Sequence, residues 1–502
     1  MQTKKRGRSP LSVGITLGSA LGALSLLSAC AVGPDYERPS APVPSAYKEA
    51  GKEAGIMPAA FTSVPRPADG WRPGNPQEAG QGAWWSVFND PVLDGLMRQV
   101  EVSNQNLKAS EAAYRQAQAF VEQSRASLFP TLSISGSGQR SGPVGSGRTT
   151  TTTRGGSSGS SGGRTVTIYD AALDASWAPD VWGRIRRTVE SDVAAAEASA
   201  ADLAAARLSA QAQLASAYVQ LRVADERKRL LDASIAAFRQ SLEIARNRHN
   251  AGTATLADVF SAETQVRTTE SQLIALDVQR AQFEHAIAVL IGKPPSEFAL
   301  PATPLRMAIP VIPPGIPSAL LERRPDIAAA ERQMAQTNAL IGVAEAAYYP
   351  DILLTGSLSS TSAIIPKLFQ APTAIWAFGA QIAETIFDGG ARDAQVALRR
   401  AAFDQSVAIY RQTVLTAFQD VEDQLAAQRI LAQQAAVQAD AVRLAREAER
   451  LTLNQYRAGT LPYTSVLTAQ TTALSDEENA LAVQQSRLLA AIALLQALGG
   501  KI

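Results

Sequence analysis

Cysteine and histidine are nearly missing from this chain of 502 residues, with one of the first and two of the second. That excludes a disulfide framework, a Cys/His zinc site and a Cys/His nucleophile pair within one protomer. Charge of one sign is missing as well. A formal net charge of +1 offers no basic surplus for nucleic acid. An enzyme reading therefore starts weak, and no cofactor is expected. Proline and glycine are absent from two stretches, from Arg187 to His249 and from Ala391 to Arg457. A helix of about 60 residues at ~1.5 Å per residue is on the order of 90 Å long, far more than a compact globule uses.

What is present is present twice. Pro130 and Gly136 return as Pro350 and Gly356, and Ala109 to Glu111 returns as Ala329 to Glu331, shifted by 220 positions (350−130). Further on, Gly183 pairs with Gly390, Ala251-Gly252-Thr253 with Ala458-Gly459-Thr460, Ala262 with Ala469 and Gly292 with Gly499, at a shift of 207 (459−252). A tandem duplication accounts for both registers. The difference falls between Gly136 and Gly183, where the first copy carries the Gly/Ser/Thr-rich insert Gly142 to Gly163. With so little apolar surface it reads as a mobile loop at a hairpin tip.

The periodicity changes along each copy. Asp90-Pro91 offers an N-cap and a first-turn proline, and Leu93, Leu96, Met97 and Val100 recur at helical spacing, predicting a helix that runs on to about Ser127. Beyond Pro130, Leu132 and Ile134 alternate with Thr131, Ser133 and Ser135, which predicts a strand. Its partner runs from Thr165 to about Trp177, and the second copy supplies Ile352 to Ser359 and Ile375 to Ile382. Four strands per chain result. The Ala-rich rods then turn at Gly252 and Gly459 and return as Leu256 to Ile291 and about Pro462 to Leu498, closing two helical hairpins. A long structural coiled coil would explain the rods but not the strands.

The amino terminus begins with Lys4, Lys5, Arg6 and Arg8, followed by the mostly apolar run Leu11 to Leu27. This is the layout of a secretory signal, too short for a spanning helix. It ends in Leu27-Ser28-Ala29-Cys30, which resembles the bacterial lipobox and makes Cys30 the expected lipidation site. A soluble periplasmic protein cleaved near Ala29 with a spare thiol is the other reading. The expected layout is a signal peptide over 1–29, a lipidated strap over 30–83, a first repeat over 84–292, a Pro-rich linker over 293–317 and a second repeat over 318–502. A β-structure that spans a bilayer must close, four strands cannot, and two, three or four copies would give 8, 12 or 16.

Cys30 to Tyr36 with Pro39, Trp84-Trp85 to Leu93, Arg323-Arg324-Pro325-Asp326-Ile327 to Glu331, and Tyr456-Arg457-Ala458-Gly459 stand in this order along the mature chain. Together they resemble the outer-membrane factor family, the TolC-like and OprM-like efflux lipoproteins. The resemblance implies a homotrimer, mainly α, with a 12-stranded outer-membrane β-barrel and a 12-helix periplasmic α-barrel. It also implies a periplasmic adaptor, an inner-membrane pump commonly of the resistance-nodulation-division class, and outer-membrane lipid as partners, with no nucleic acid. Ala251, Gly252, Thr253, Ala458, Gly459 and Thr460 match the tips against which adaptors dock in the family, although both glycines also simply end helices. Asp258 and Tyr456 match a pair that can hold the periplasmic aperture closed, with solvation as the alternative. Relatives often place acidic residues six or nine positions past the second tip glycine. Here those places are Ser465 and Thr468, whose hydroxyls would select weakly between ions. The exit duct of a type I protein-secretion system shares the fold, and a structural envelope lipoprotein without a pore is a third reading. His249 and His285 read as helix-surface residues. Trp177, Trp182 and Trp376 suit either a membrane interface or local packing.

Overall fold

The computed structural model describes residues 31–49, 83–142, 165–312, 317 and 322–500. Cys30, the signal segment and most of the Gly/Ser/Thr insert lie outside the described residues. The described helices are α1 (Pro91–Ser103), α2 (Gln105–Ala126), α3 (Arg184–Asn250), α4 (Leu256–Leu290), α5 (Pro325–Ala346), α6 (Ala391–Arg457) and α7 (Tyr463–Ala497). The strands are β1 (Thr131–Ser141), β2 (Val166–Trp177), β3 (Asp351–Ser362) and β4 (Ala374–Ala383).

The duplication is visible in the element lengths. The two rods α3 and α6 are each 67 residues, the return helices α4 and α7 each 35, and α2 and α5 each 22. The compact units do not follow the copies, however. One unit collects residues 1–37, 118–194 and 335–405, the other 38–117, 195–334 and 406–502. Each copy contributes one β-hairpin to a single sheet, so neither copy packs as a unit alone.

One expected helix is broken. The run from Pro91 divides at Asn104, whose backbone is extended with ψ 122°. Its side-chain Oδ1 accepts from the backbone N–H groups of Asn106 (2.9 Å) and Leu107 (3.1 Å). Asn104 is thus a second N-cap, and its Nδ2 donates to the Leu290 carbonyl at 2.7 Å. Apolar spacing could not announce this break, because the spacing continues across it.

The sheet has the order β1-β2-β3-β4 and is antiparallel throughout. Its register places Ile134, Leu173, Leu358 and Trp376 in one cross-strand row, and Leu132, Ala175, Gly356 and Phe378 in another on the same face. The opposite face carries the row Ser133, Asp174, Ser357 and Ala377. Ile134, Trp376 and Phe378 are all more than two-thirds exposed. Water would not be an economical neighbour for that face.

In the same unit the strap residues Ala31 to Glu37 are fastened by backbone contact. Arg187, 5% exposed, donates to the carbonyls of Val32 (3.2 Å) and Gly33 (3.0 Å) and pairs with Asp35 at 2.9 Å. Gly33 has φ +101°, and a Cβ there would stand 2.3 Å from the Cα of Gly342. Two glycines let the strap lie directly on α5.

The other unit holds the core. Trp84, Phe88, Leu93, Met97, Leu214 and Tyr218 are buried together with Ile287 and Leu495. The described part of the Pro-rich linker packs on this cluster through Leu300, Leu305 and Ile309. Buried Asp225 joins Arg222 (3.0 Å) and Arg280 (2.8 Å), while these arginines donate to the carbonyls of Pro301 (2.9 Å) and Leu300 (2.6 Å). This charge triad holds the linker to the first hairpin, although Arg222 Nε is buried without a partner among the described residues.

Candidate functional site at the helical tips

The two tips close in the same way. At the first, Thr253 N–H donates to the Arg248 carbonyl and Gly252 N–H to that of His249, both at 2.8 Å. At the second, Thr460 N–H reaches the Gln455 carbonyl and Gly459 N–H that of Tyr456, both at 3.0 Å. The threonine hydroxyls repeat the bond, each donating at 3.0 Å to the same carbonyl as its backbone N–H. Gly252 and Gly459 take φ +73° and +82°, a region that favours glycine in a helix-terminating turn. A Cβ at Gly252 would meet nothing within 4 Å, so backbone angle, not crowding, is what requires glycine. Ala251, Gly252, Thr253, Ala458, Gly459 and Thr460 are all exposed.

Asp258 is committed locally. Its Oδ2 accepts from the Thr255 N–H at 3.1 Å, while Thr255 Oγ1 accepts from the Asp258 N–H at 3.2 Å, a reciprocal capping box at the start of α4. Tyr456 lies 2% exposed against Tyr463, with ring centroids 5.4 Å apart and planes at 64°. Both hydroxyls are buried without a hydrogen-bond partner among the described residues. Burial raises both phenols, Asp258 adds to the rise, and Tyr463 reaches about 12. Within one protomer Asp258 and Tyr456 are therefore electrostatic neighbours but not hydrogen-bonded partners. Ser465 is half-buried and Thr468 exposed, the latter donating to the Thr464 carbonyl at 3.0 Å.

The residue that sequence reasoning missed is Arg248. Its guanidinium stands 4.5 Å from the Tyr456 ring centroid, its Nη1 donates to the Tyr456 carbonyl, and its Nη2 lies 3.4 Å from the Thr253 carbonyl. It ties the first tip to the second. The only signal in the sequence was a basic residue in the last turn of a helix, where any arginine serves the terminal carbonyls. His249 Nδ1–H donates to the Ala254 carbonyl at 3.1 Å, and His285 is exposed. No group of three or more His, Cys, Asp or Glu suited to a metal occurs among the described residues. Trp177 and Trp182 each donate to a carbonyl, of Leu128 at 3.0 Å and Pro350 at 2.8 Å, while Trp376 is exposed in the apolar row.

Comparison with known proteins identifies the family and the fold. The sequence pattern of the family described as outer membrane efflux protein matches residues 96–293 and 316–500. The chain is 29% identical over 479 residues to the probable efflux pump outer membrane protein TtgC of Pseudomonas putida, covering 95% of this chain and 93% of that one. It is 31% identical to nodulation protein T of Rhizobium leguminosarum bv. trifolii, covering 89% of each. Among solved structures, the outer-membrane channel OprN superposes with a TM-score of 0.78 at 28% identity, over 94% of this chain and 99% of that one. The fold is that of the TolC-like channels, and the chain belongs to the outer membrane efflux protein family.

Proposed function

We propose that this protein is the exit duct of a tripartite efflux system, a homotrimer that carries small molecules across the outer membrane with a periplasmic adaptor and an inner-membrane pump. The observation that carries the reading is the sheet: two edge strands, β1 and β4, one apolar face and one polar face. Such a sheet is stable in a bilayer only when closed, and three copies close it as 12 strands. A second feature supports pooling of copies. Ile430, Val437, Leu444 and Leu451 recur every seven residues along α6 and are exposed in the protomer, the spacing of a helix seam that packs against another helix.

In this reading the exposed tips around Gly252 and Gly459 receive the adaptor, and Asp258, Tyr456, Ser465 and Thr468 surround the periplasmic aperture. Cys30 carries the lipid. The pump is of the resistance-nodulation-division class, and the duct does no chemistry of its own. Mass in mild detergent and conductance in a planar bilayer test the reading together. A conducting particle of about three protomer masses is expected, and a well-folded monomer that never conducts would overturn it.

A further inference from the structure

Below the tips, α3, α6 and α7 enclose a groove of about 250 Å³. Glu449 lies ten residues before Gly459 and Gln470 eleven after it (459−449, 470−459), so the groove is about 15 Å from the turn at ~1.5 Å per residue. Its walls include Leu230, Ala237, Phe238 and Leu474. Of the charged groups that line it, most are already matched. Arg229 pairs with Glu226, and Arg446 with Glu477.

Two groups are only partly matched. Glu449 forms no ion pair among the described residues; burial raises its carboxyl above the ordinary range and Glu477 adds to the rise, against a hydrogen bond with the Gln470 side chain and the charge of Arg446, which lower it. Gln470 is 1% exposed. Its Nε2 donates to Ser241 Oγ at 2.9 Å, but its Oε1 is buried with no hydrogen-bond partner among the described residues. An acceptor left without a donor in the interior is destabilising. Gln470 Oε1 lacks a donor and Glu449 lacks an ion-pair partner, and a cationic N–H group supplies both. A metal ion would find too few oxygens here, and an anion would meet Glu449 and Glu477.

We propose that this groove binds a small organic ammonium ion, its N–H groups shared between the Glu449 carboxylate and Gln470 Oε1 and its apolar body laid on Leu230, Phe238 and Leu474. At roughly 30 Å³ for each water-sized group, the space holds on the order of eight non-hydrogen atoms. That is the size of benzylammonium. Such a ligand touches all three helices and braces their spacing beneath the tips. The site stands on the packing of one protomer and does not depend on conduction.

The test is calorimetric titration of the full-length protein in mild detergent with benzylammonium, and with benzyl alcohol as the neutral molecule of the same size. Saturable binding of the ammonium at one per chain is expected, with none of the alcohol at the same concentrations. Glu449→Gln weakens the ammonium about ten-fold or more, the scale of a lost charge-assisted hydrogen bond, and Gln470→Met, which keeps the volume, weakens it several-fold. Conductance and mass of the variants, measured on the same samples, report folding and the duct reading separately. No saturable binding, equal binding of alcohol and ammonium, or undiminished binding to a folded Glu449→Gln protein would each overturn the site.

Discussion

Tyr456 and Tyr463 each bury a hydroxyl that has no hydrogen-bond partner among the described residues, so the rings count for more than the oxygens. Tyr456→Phe and Tyr463→Phe are expected to leave stability unchanged or raise it by up to about 1–3 kcal/mol, the cost of an unsatisfied buried polar group. Chemical denaturation followed by far-ultraviolet circular dichroism would read this. The phenol of Tyr463, raised to about 12, adds a pH signature. Its folded value exceeds the ordinary value near 10, so its contribution is complete below pH ~10 and is lost as pH climbs towards 12. Tyr463→Phe should remove that part of the alkaline loss. Arg248 makes the opposite case, because its contacts with Tyr456 join two tips. Arg248→Ala is expected to cost about 1.5–3 kcal/mol of charge-assisted bonding and to raise the open fraction in single-channel records. Unchanged gating would remove Arg248 from the aperture. The family resemblance marked Tyr456 and Asp258, and Thr255 with Asp258 has the spacing of a capping box, but the sequence could not show that Arg248 reaches across. That contact depends on how two hairpins far apart in the chain lie together.

Among the elements, those with a strong internal period were legible and those fixed by tertiary contact were not. The Pro- and Gly-free rods end where Gly252 and Gly459 end them, and the alternation at Leu132 and Ile134 correctly marked β1. The break at Asn104 was hidden because its reason, a side-chain amide bound to Leu290, lies on another helix. The strap was legible only as composition. Its fastening includes the contact of Gly33 with Gly342 under Arg187. Gly33→Ala is expected to cost about 1–3 kcal/mol, since it combines a positive φ with a backbone clash. Limited proteolysis should then cut the strap between residues 31 and 49 faster than in the wild-type protein, while the helical hairpins remain resistant. Equal cutting would mean that the strap's other contacts, among them Arg429 with Glu49 and Glu422 with the backbone N–H groups of Lys48 and Glu49, hold it without Gly33.

For the molecule as a whole, the sheet makes the strongest demand, because its two faces require two different solvents. Leu358 and Ser357 are adjacent in β3 and stand on opposite faces, one in the row with Ile134, Leu173 and Trp376, the other beside Asp174. An arginine facing the middle of a bilayer costs about 2–4 kcal/mol per strand site, and a closed trimer repeats that cost in every protomer. Leu358→Arg is therefore expected to lower the amount of heat-resistant trimer recovered from outer membranes. Ser357→Arg should assemble normally, because its face is bathed in water. It should instead change permeation: a positive side chain beside Asp174 reduces the preference for cations, which reversal potentials in a salt gradient would register. If Ser357→Arg blocked assembly while Leu358→Arg were tolerated, the faces would be exchanged. The apolar row would then line the duct, and a water-filled conduit through this sheet would be untenable.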